Sequence, residues 1–149
     1  MSTIFALFHH LAVLTMLVCV LTSIWQLMQP FSLSRARVLR RADTVNAIAA
    51  TLVLLIGAVR VIYLEKGAGY YFHNIPFIAK LVLYGIASLL SLMPTLEIRR
   101  WNAALGQGLV PTVDTGRLSR MRTVSYWQMV CLFAMAACAM LAARGIDLP

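Results

Sequence analysis

The sequence predicts an all-α fold: an integral membrane four-helix bundle of up-down-up-down order, with both termini on the outer side. Three observations carry this. Of the 149 residues, 61% are hydrophobic and the mean hydropathy is +0.82, where a soluble domain has about 45–50% apolar residues. Four apolar runs, residues 4–28, 44–64, 75–93 and 124–143, each approach the ~20 residues that cross a hydrocarbon core of about 30 Å. Finally, the arginines alternate. Arg35, Arg37, Arg40 and Arg41 fall in the first connection, and Arg99, Arg100, Arg117, Arg120 and Arg122 in the third. The second connection, with Glu65 and Lys66, is close to neutral. Basic connections stay cytoplasmic, so 29–43 and 94–123 are placed inside and 65–74 outside.

Each element follows in order. Residues 1–8 contain no Lys or Arg, and no small-residue cleavage pattern follows the first apolar run, so helix one is expected to be permanent and not a cleaved signal. Asp43 is expected to cap helix two. Gly67 and Gly69 suit a tight reversal in the outer loop, and Tyr70, Tyr71 and Phe72 suit the membrane interface. Asn74 and Pro76 read as the cap and first turn of helix three, and Pro94 as its end or kink. Gly106, Gly108, Pro111 and Gly116 are expected to break any helix in the last connection. The short links favour antiparallel neighbours in one membrane domain, residues 1–149.

The net charge of +8 is explained by topology, and no nucleic-acid role is expected. Cys19, Cys131 and Cys138 all fall within spans, where cysteine behaves as a small hydrophobe and builds no disulfide framework. No nucleophile elbow, P-loop, H-E-x-x-H or paired intramembrane carboxylate is present.

What remains is a set of polar residues inside apolar runs: His9 and His10, Arg60 and Lys80. Charge in hydrocarbon costs several kcal/mol unless it lines a cavity and pairs. Antiparallel order puts the start of helix one, the end of helix two and the start of helix three on one side. All four residues then sit at a similar depth, about 6–10 Å in at 1.5 Å per residue. Asn46, Ala50, Val53, Gly57 and Arg60 share one stripe of helix two, and Lys80, Tyr84, Ala87 and Ser91 one stripe of helix three. Small residues on such a stripe admit a neighbouring helix. The helical wheel turns His9 inward with Ala12, Met16, Cys19 and Ser23, and His10 toward lipid or a neighbouring protomer. The bland alternative is snorkelling of Arg60 and Lys80 to headgroups.

Imidazole is a haem-iron ligand, guanidinium holds a carboxylate bidentately, and ammonium adds a compact charge. One imidazole and two cations in an apolar slot suit a flat, anionic, greasy ligand such as haem b. Met16, two turns from His9, is too distant to share its iron from the same helix. His73 in the outer loop is the remaining histidine.

Up to about Leu105 the chain resembles a family of uncharacterised small bacterial membrane proteins grouped as a domain of unknown function. The likeness rests on Phe8-His-His-Leu-Ala12, Leu39-Arg-Arg-Ala-Asp43, Gly57-Ala-Val-Arg60, Glu65-Lys-Gly-Ala-Gly-Tyr-Tyr71, Phe77-Ile-Ala-Lys-Leu81 and Met93-Pro-Thr95. More distantly, a helix-one histidine, a Gly-Tyr-Tyr loop and Ala-Lys-Leu opening helix three look like the haem-containing protoporphyrinogen IX oxidases and the copper-resistance D-type proteins. The oxidase resemblance implies a functional histidine at His9 or His10 and a catalytic lysine at Lys80. Those oxidases carry Trp where this chain has Pro76, and their Pro-Arg pair and late helix-three histidine have no counterpart here.

The resulting expectation is a bacterial inner-membrane protein binding haem or a related porphyrin on its outer side. His9 or His10 is the metal ligand, Arg60 and Lys80 are the anchors, and the activity is that of an oxidoreductase. Its partners would be the lipid bilayer and a membrane electron acceptor, or a second copy in a homo-oligomer. The alternative is a non-enzymatic subunit or a carrier of small solutes or anions.

Overall fold

The computed structural model describes residues 2–64 and 75–143. Helix α1 spans Ser2–Leu27 and α2 Leu33–Val59, the latter continuing as a π-helical turn, Arg60–Leu64. Helix α3 spans Ile75–Arg100, α4 is the short Asn102–Gly106, and α5 runs Thr115–Ala143. The described residues contain no strand. Four of the helices are long and apolar enough to cross a membrane.

Helices α1 and α2 pack along each other, as do α3 and α5, and the two pairs meet chiefly through α1 and α5. Between α2 and α3 the contact is thinner. The middle of the bundle closes on Met16, Val20 and Ile24 of α1, Ala49 of α2, and Met129 and Leu132 of α5. Large apolar side chains such as Leu14, Leu55, Leu89 and Phe133 point outward. On a soluble protein this would be an aggregation surface; in a bilayer it is the lipid face.

Three of the helices run past their apolar stretches at the arginine-rich end. Helix α2 begins eleven residues before the apolar run that starts at Thr44, α3 extends to Arg100, and α5 begins at Thr115. The cap expected at Asp43 is therefore corrected to Ser32, which has an extended backbone and whose side-chain Oγ accepts from the amide of Arg35 at 3.5 Å. Asp43 lies well inside the helix. Pro94 does not end α3, which continues through it; the proline removes one amide from the ladder and is buried within the bundle. Gly116 lies in the first turn of α5, whereas Gly108, at φ 72°, supplies the left-handed residue after α4.

These extensions have their own core. Ala36 and Leu39 of α2, Ile98 of α3, Trp101, Leu105 of α4 and Met121 of α5 are buried together. Phe31 meets Trp101 edge-on with ring centroids 5.2 Å apart. The arginine side chains Arg37, Arg40 and Arg41 are exposed around it.

Candidate functional site

At the end opposite the arginine-rich connections, the element order brings together the start of α1, the end of α2 and the start of α3. His9 is half-buried and its ring lies on α2: a Cβ added to Gly57 would stand 3.4 Å from His9 Cε1 and 3.9 Å from Nδ1. The Nδ1–Cε1 edge of the imidazole is thus the part nearest position 57, at ordinary van der Waals distance from a methyl group there. His10 is exposed; its Nδ1 lies 2.5 Å from the Ala6 carbonyl oxygen of its own helix. The two rings are perpendicular, with centroids 6.1 Å apart. The helical wheel expectation, His9 inward and His10 outward, matches this geometry.

Arg60 opens the π-helical turn, which also touches α1. A π turn widens the helix by one residue and resets the direction of every side chain after it, and such turns are frequent at functional sites. Arg60 and Lys80 are both half-buried. The Lys80 ammonium lies over the Phe77 ring, 4.9 Å from its centroid, within cation–π range. The structure thus joins His9 to α2 directly and sets Arg60 and Lys80 on the two neighbouring helices at the same end. Glu65, Lys66 and His73, which the sequence adds to this neighbourhood, lie outside the described residues, as does the proposed cap Asn74.

The interior holds a second polar region that the sequence reading divided among separate elements. Helix α3 carries Tyr84, Ser88, Ser91 and Thr95 below Lys80, spaced 4-4-3-4 along one face. Tyr84 donates to the Ala50 carbonyl of α2 at 2.8 Å, and Thr95 donates to Asp43 Oδ1 at 2.6 Å. Gln128 of α5, itself buried, donates to the Ala87 carbonyl at 3.3 Å. Around Asp43 is a cavity of about 20 Å³, lined from all four spanning helices by residues that include Ser23, Asn46, Ser91, Ser125 and Gln128. The stripe reading had found Asn46 and Ser91. The sequence places Asp43 at a cap and Thr95 in the 94–123 connection, so neither reads as an interior group. Cys19 and Cys131 are buried and Cys138 half-buried, all as free thiols.

A family model described as "Predicted membrane protein (DUF2214)" matches residues 1–147. The chain belongs to this family. The match extends past Leu105 through α5, so the helix that closes the bundle is part of what defines these proteins. No curated protein and no solved structure matches the chain.

Proposed function

We propose that this DUF2214 protein binds haem b or a related porphyrin at its histidine end, with His9 as axial ligand and Arg60 and Lys80 holding the propionates. The observation that carries the reading is the seat of His9 on Gly57. With Cε1 and Nδ1 the ring atoms nearest Gly57, Nε2 is the nitrogen farther from that position, and it is the one that would meet iron. His10 faces outward and is not needed. A guanidinium from α2 and an ammonium from α3 can reach two carboxylates from two helices, which fixes the plane of a flat ligand. Bound haem would supply one-electron redox chemistry. Lys80 is then the candidate proton donor or acceptor beside a substrate, as the resemblance to protoporphyrinogen IX oxidases implies. On this reading the positive-inside rule, applied to the arginine-rich connections, supports an outer-face position for this end in a bacterial inner membrane.

A second reading is a non-enzymatic carrier of a small anion. Its support is the hydroxyl face of α3, which continues from Lys80 to Thr95, over about 22 Å. A haem confined to one end does not use that face.

A visible spectrum separates the two. Protein expressed with ample haem and purified in detergent should show a Soret band that His9→Ala loses and His10→Ala keeps. Colourless wild-type protein overturns the haem reading. If that colourless protein also binds anions in a way that Lys80→Gln weakens, the carrier reading replaces it.

A further inference from the structure

The interior cavity at Asp43 lies at the opposite end from His9 and has a chemistry of its own. Its polar lining is mostly side-chain oxygen, with the amides of Asn46 and Gln128 and the hydroxyl of Ser125 as its possible donors. Ser23 spends its hydroxyl proton on the Cys19 carbonyl at 2.9 Å, and Ser91 spends its own on the Ser88 carbonyl at 2.6 Å. Thr95 gives its proton to Asp43. A hydroxyl has one proton and two lone pairs, so each of these oxygens retains acceptor capacity and nothing to donate. Asn46 Oδ1 is buried and receives no hydrogen bond. The remaining carboxylate oxygen of Asp43 adds a further acceptor and the negative charge.

Acceptors from α1, α2 and α3 therefore surround a space large enough for one or two water-sized bodies. A buried oxygen such as Asn46 Oδ1 without a donor costs free energy, and a cation is a species that satisfies several oxygens at once. All the donor atoms are oxygen, which selects a hard ion. A single carboxylate balances a single positive charge. Of the nearby cations Arg99 acts on Asp43 electrostatically, but it, Arg40 and Arg41 are exposed and none forms an ion pair with that carboxylate. Glu97 pairs with Arg100 and Arg117, and among the described residues no ion pair of Asp43 is seen.

We propose that Asp43, Asn46, Ser23, Ser91 and Thr95 form an intramembrane binding site for a small monovalent cation of sodium size. Asp43 supplies the charge. Asn46 Oδ1 and the serine oxygens replace part of the ion's hydration shell, and Thr95 orients the carboxylate. Because residues from three helices meet on the ion, its binding ties α2 to α1 and reinforces the thinly packed α2–α3 pair beside the Asp43–Thr95 bond.

The test is thermal unfolding of the purified protein at constant ionic strength, with sodium chloride exchanged for choline chloride from 0 to 100 mM. Saturable binding to the folded state should raise the midpoint by at least about 3 °C. Lithium or potassium should give a different half-saturation. Asp43→Asn should abolish the sodium-specific rise, and Asn46→Ala should shift its midpoint concentration at least about tenfold. If Asp43→Asn does not fold, Ser91→Ala, which removes one oxygen ligand and little volume, should weaken the sodium response in the same way. Equal midpoints in sodium and choline, or an unchanged sodium response in the variants, would show that the cavity holds water alone and overturn the proposal. The visible spectrum is the independent readout of the histidine end, so a failure at one end leaves the other judged separately.

Discussion

His9 lies on Gly57, with its Cε1 at 3.4 Å from where a Cβ at that position would stand. That distance is ordinary contact for a methyl group and far too short for a branched side chain. Gly57→Ala should keep the fold, while Gly57→Leu should expel the imidazole from the α1–α2 interface and destabilise the protein by about 1–3 kcal/mol through overpacking. If His9 is an axial ligand, the Soret band should survive Gly57→Ala and be lost in Gly57→Leu. An intact spectrum in Gly57→Leu would separate ligand binding from this contact.

The two cations at the same end should differ in their tolerance of exchange. A guanidinium that grips a carboxylate with two parallel bonds is not replaced by an ammonium. Arg60→Lys should therefore weaken porphyrin affinity by about tenfold, close to the effect of Arg60→Gln, consistent with a charge-assisted bond of about 1.5–3 kcal/mol. Lys80→Arg should be milder than Lys80→Gln. Titration of the apoprotein with haem, followed by difference spectra, gives these affinities directly; equal affinities in all four variants would remove both residues from the site.

Tyr84 bridges the thin α2–α3 seam by its bond to the Ala50 carbonyl. Tyr84→Phe removes one hydrogen bond and almost no volume. Side-chain hydrogen bonds within membranes contribute about 0.6 kcal/mol on average, so global stability should fall by about that much. The effect should be concentrated locally, as faster amide exchange in α3 around residues 80–88 and little change in α5. Uniform acceleration across the bundle would show that the seam is not a separate point of weakness.

The four spans were legible because a 20-residue apolar run has few alternative readings. His9, Arg60 and Lys80 were legible as one end of the bundle because antiparallel order leaves no choice. The arginine-rich end was harder. Leu33, Ala36, Leu39 and Ala42 recur every three residues and mark a helical face, but the four arginines between them lower hydropathy below that of a span. Asp43 misled for a chemical reason: aspartate suits a helix cap, and the apolar run begins at the next residue. Ser32, three residues before Arg35, is the actual cap, but the arginines that follow it make the segment read as a loop. The Asp43–Thr95 bond joins residues 52 apart in sequence, and no local pattern in either helix encodes it.

Trp101 tests whether the helical extensions form a core of their own. It is 3% exposed and closes against Phe31. Trp101→Ala should cost about 3–5 kcal/mol, the range for deleting a buried aromatic. Trp101→Phe should recover much of it by keeping an aromatic ring against Phe31. Limited proteolysis of the Trp101→Ala protein should open the connection between α4 and α5 while the spans stay protected. Unchanged proteolysis would mean that this cluster adds nothing to the order of the connection.

Glu97 links α3 to the start of α5 through charge. Its Oε2 accepts from Arg117 Nη1 at 2.9 Å and from Arg100 Nη1 at 3.4 Å. The glutamate side chain is 11% exposed, but its partners are 50% and 66% exposed, so water screens much of the attraction. Arg100 is on the same helix, so the bond to Arg117 is the one that joins two elements. A double-mutant cycle of Glu97→Gln with Arg117→Gln should give a coupling of about 0.5–1 kcal/mol, in the range of exposed pairs. Raising salt from 50 to 500 mM should reduce that coupling, as the screening length shortens from above 10 Å toward about 4 Å. A coupling of zero at low salt would assign the α3–α5 junction to its apolar contacts alone. One that ignores salt would instead place the pair in a drier setting than the exposure of its arginines indicates.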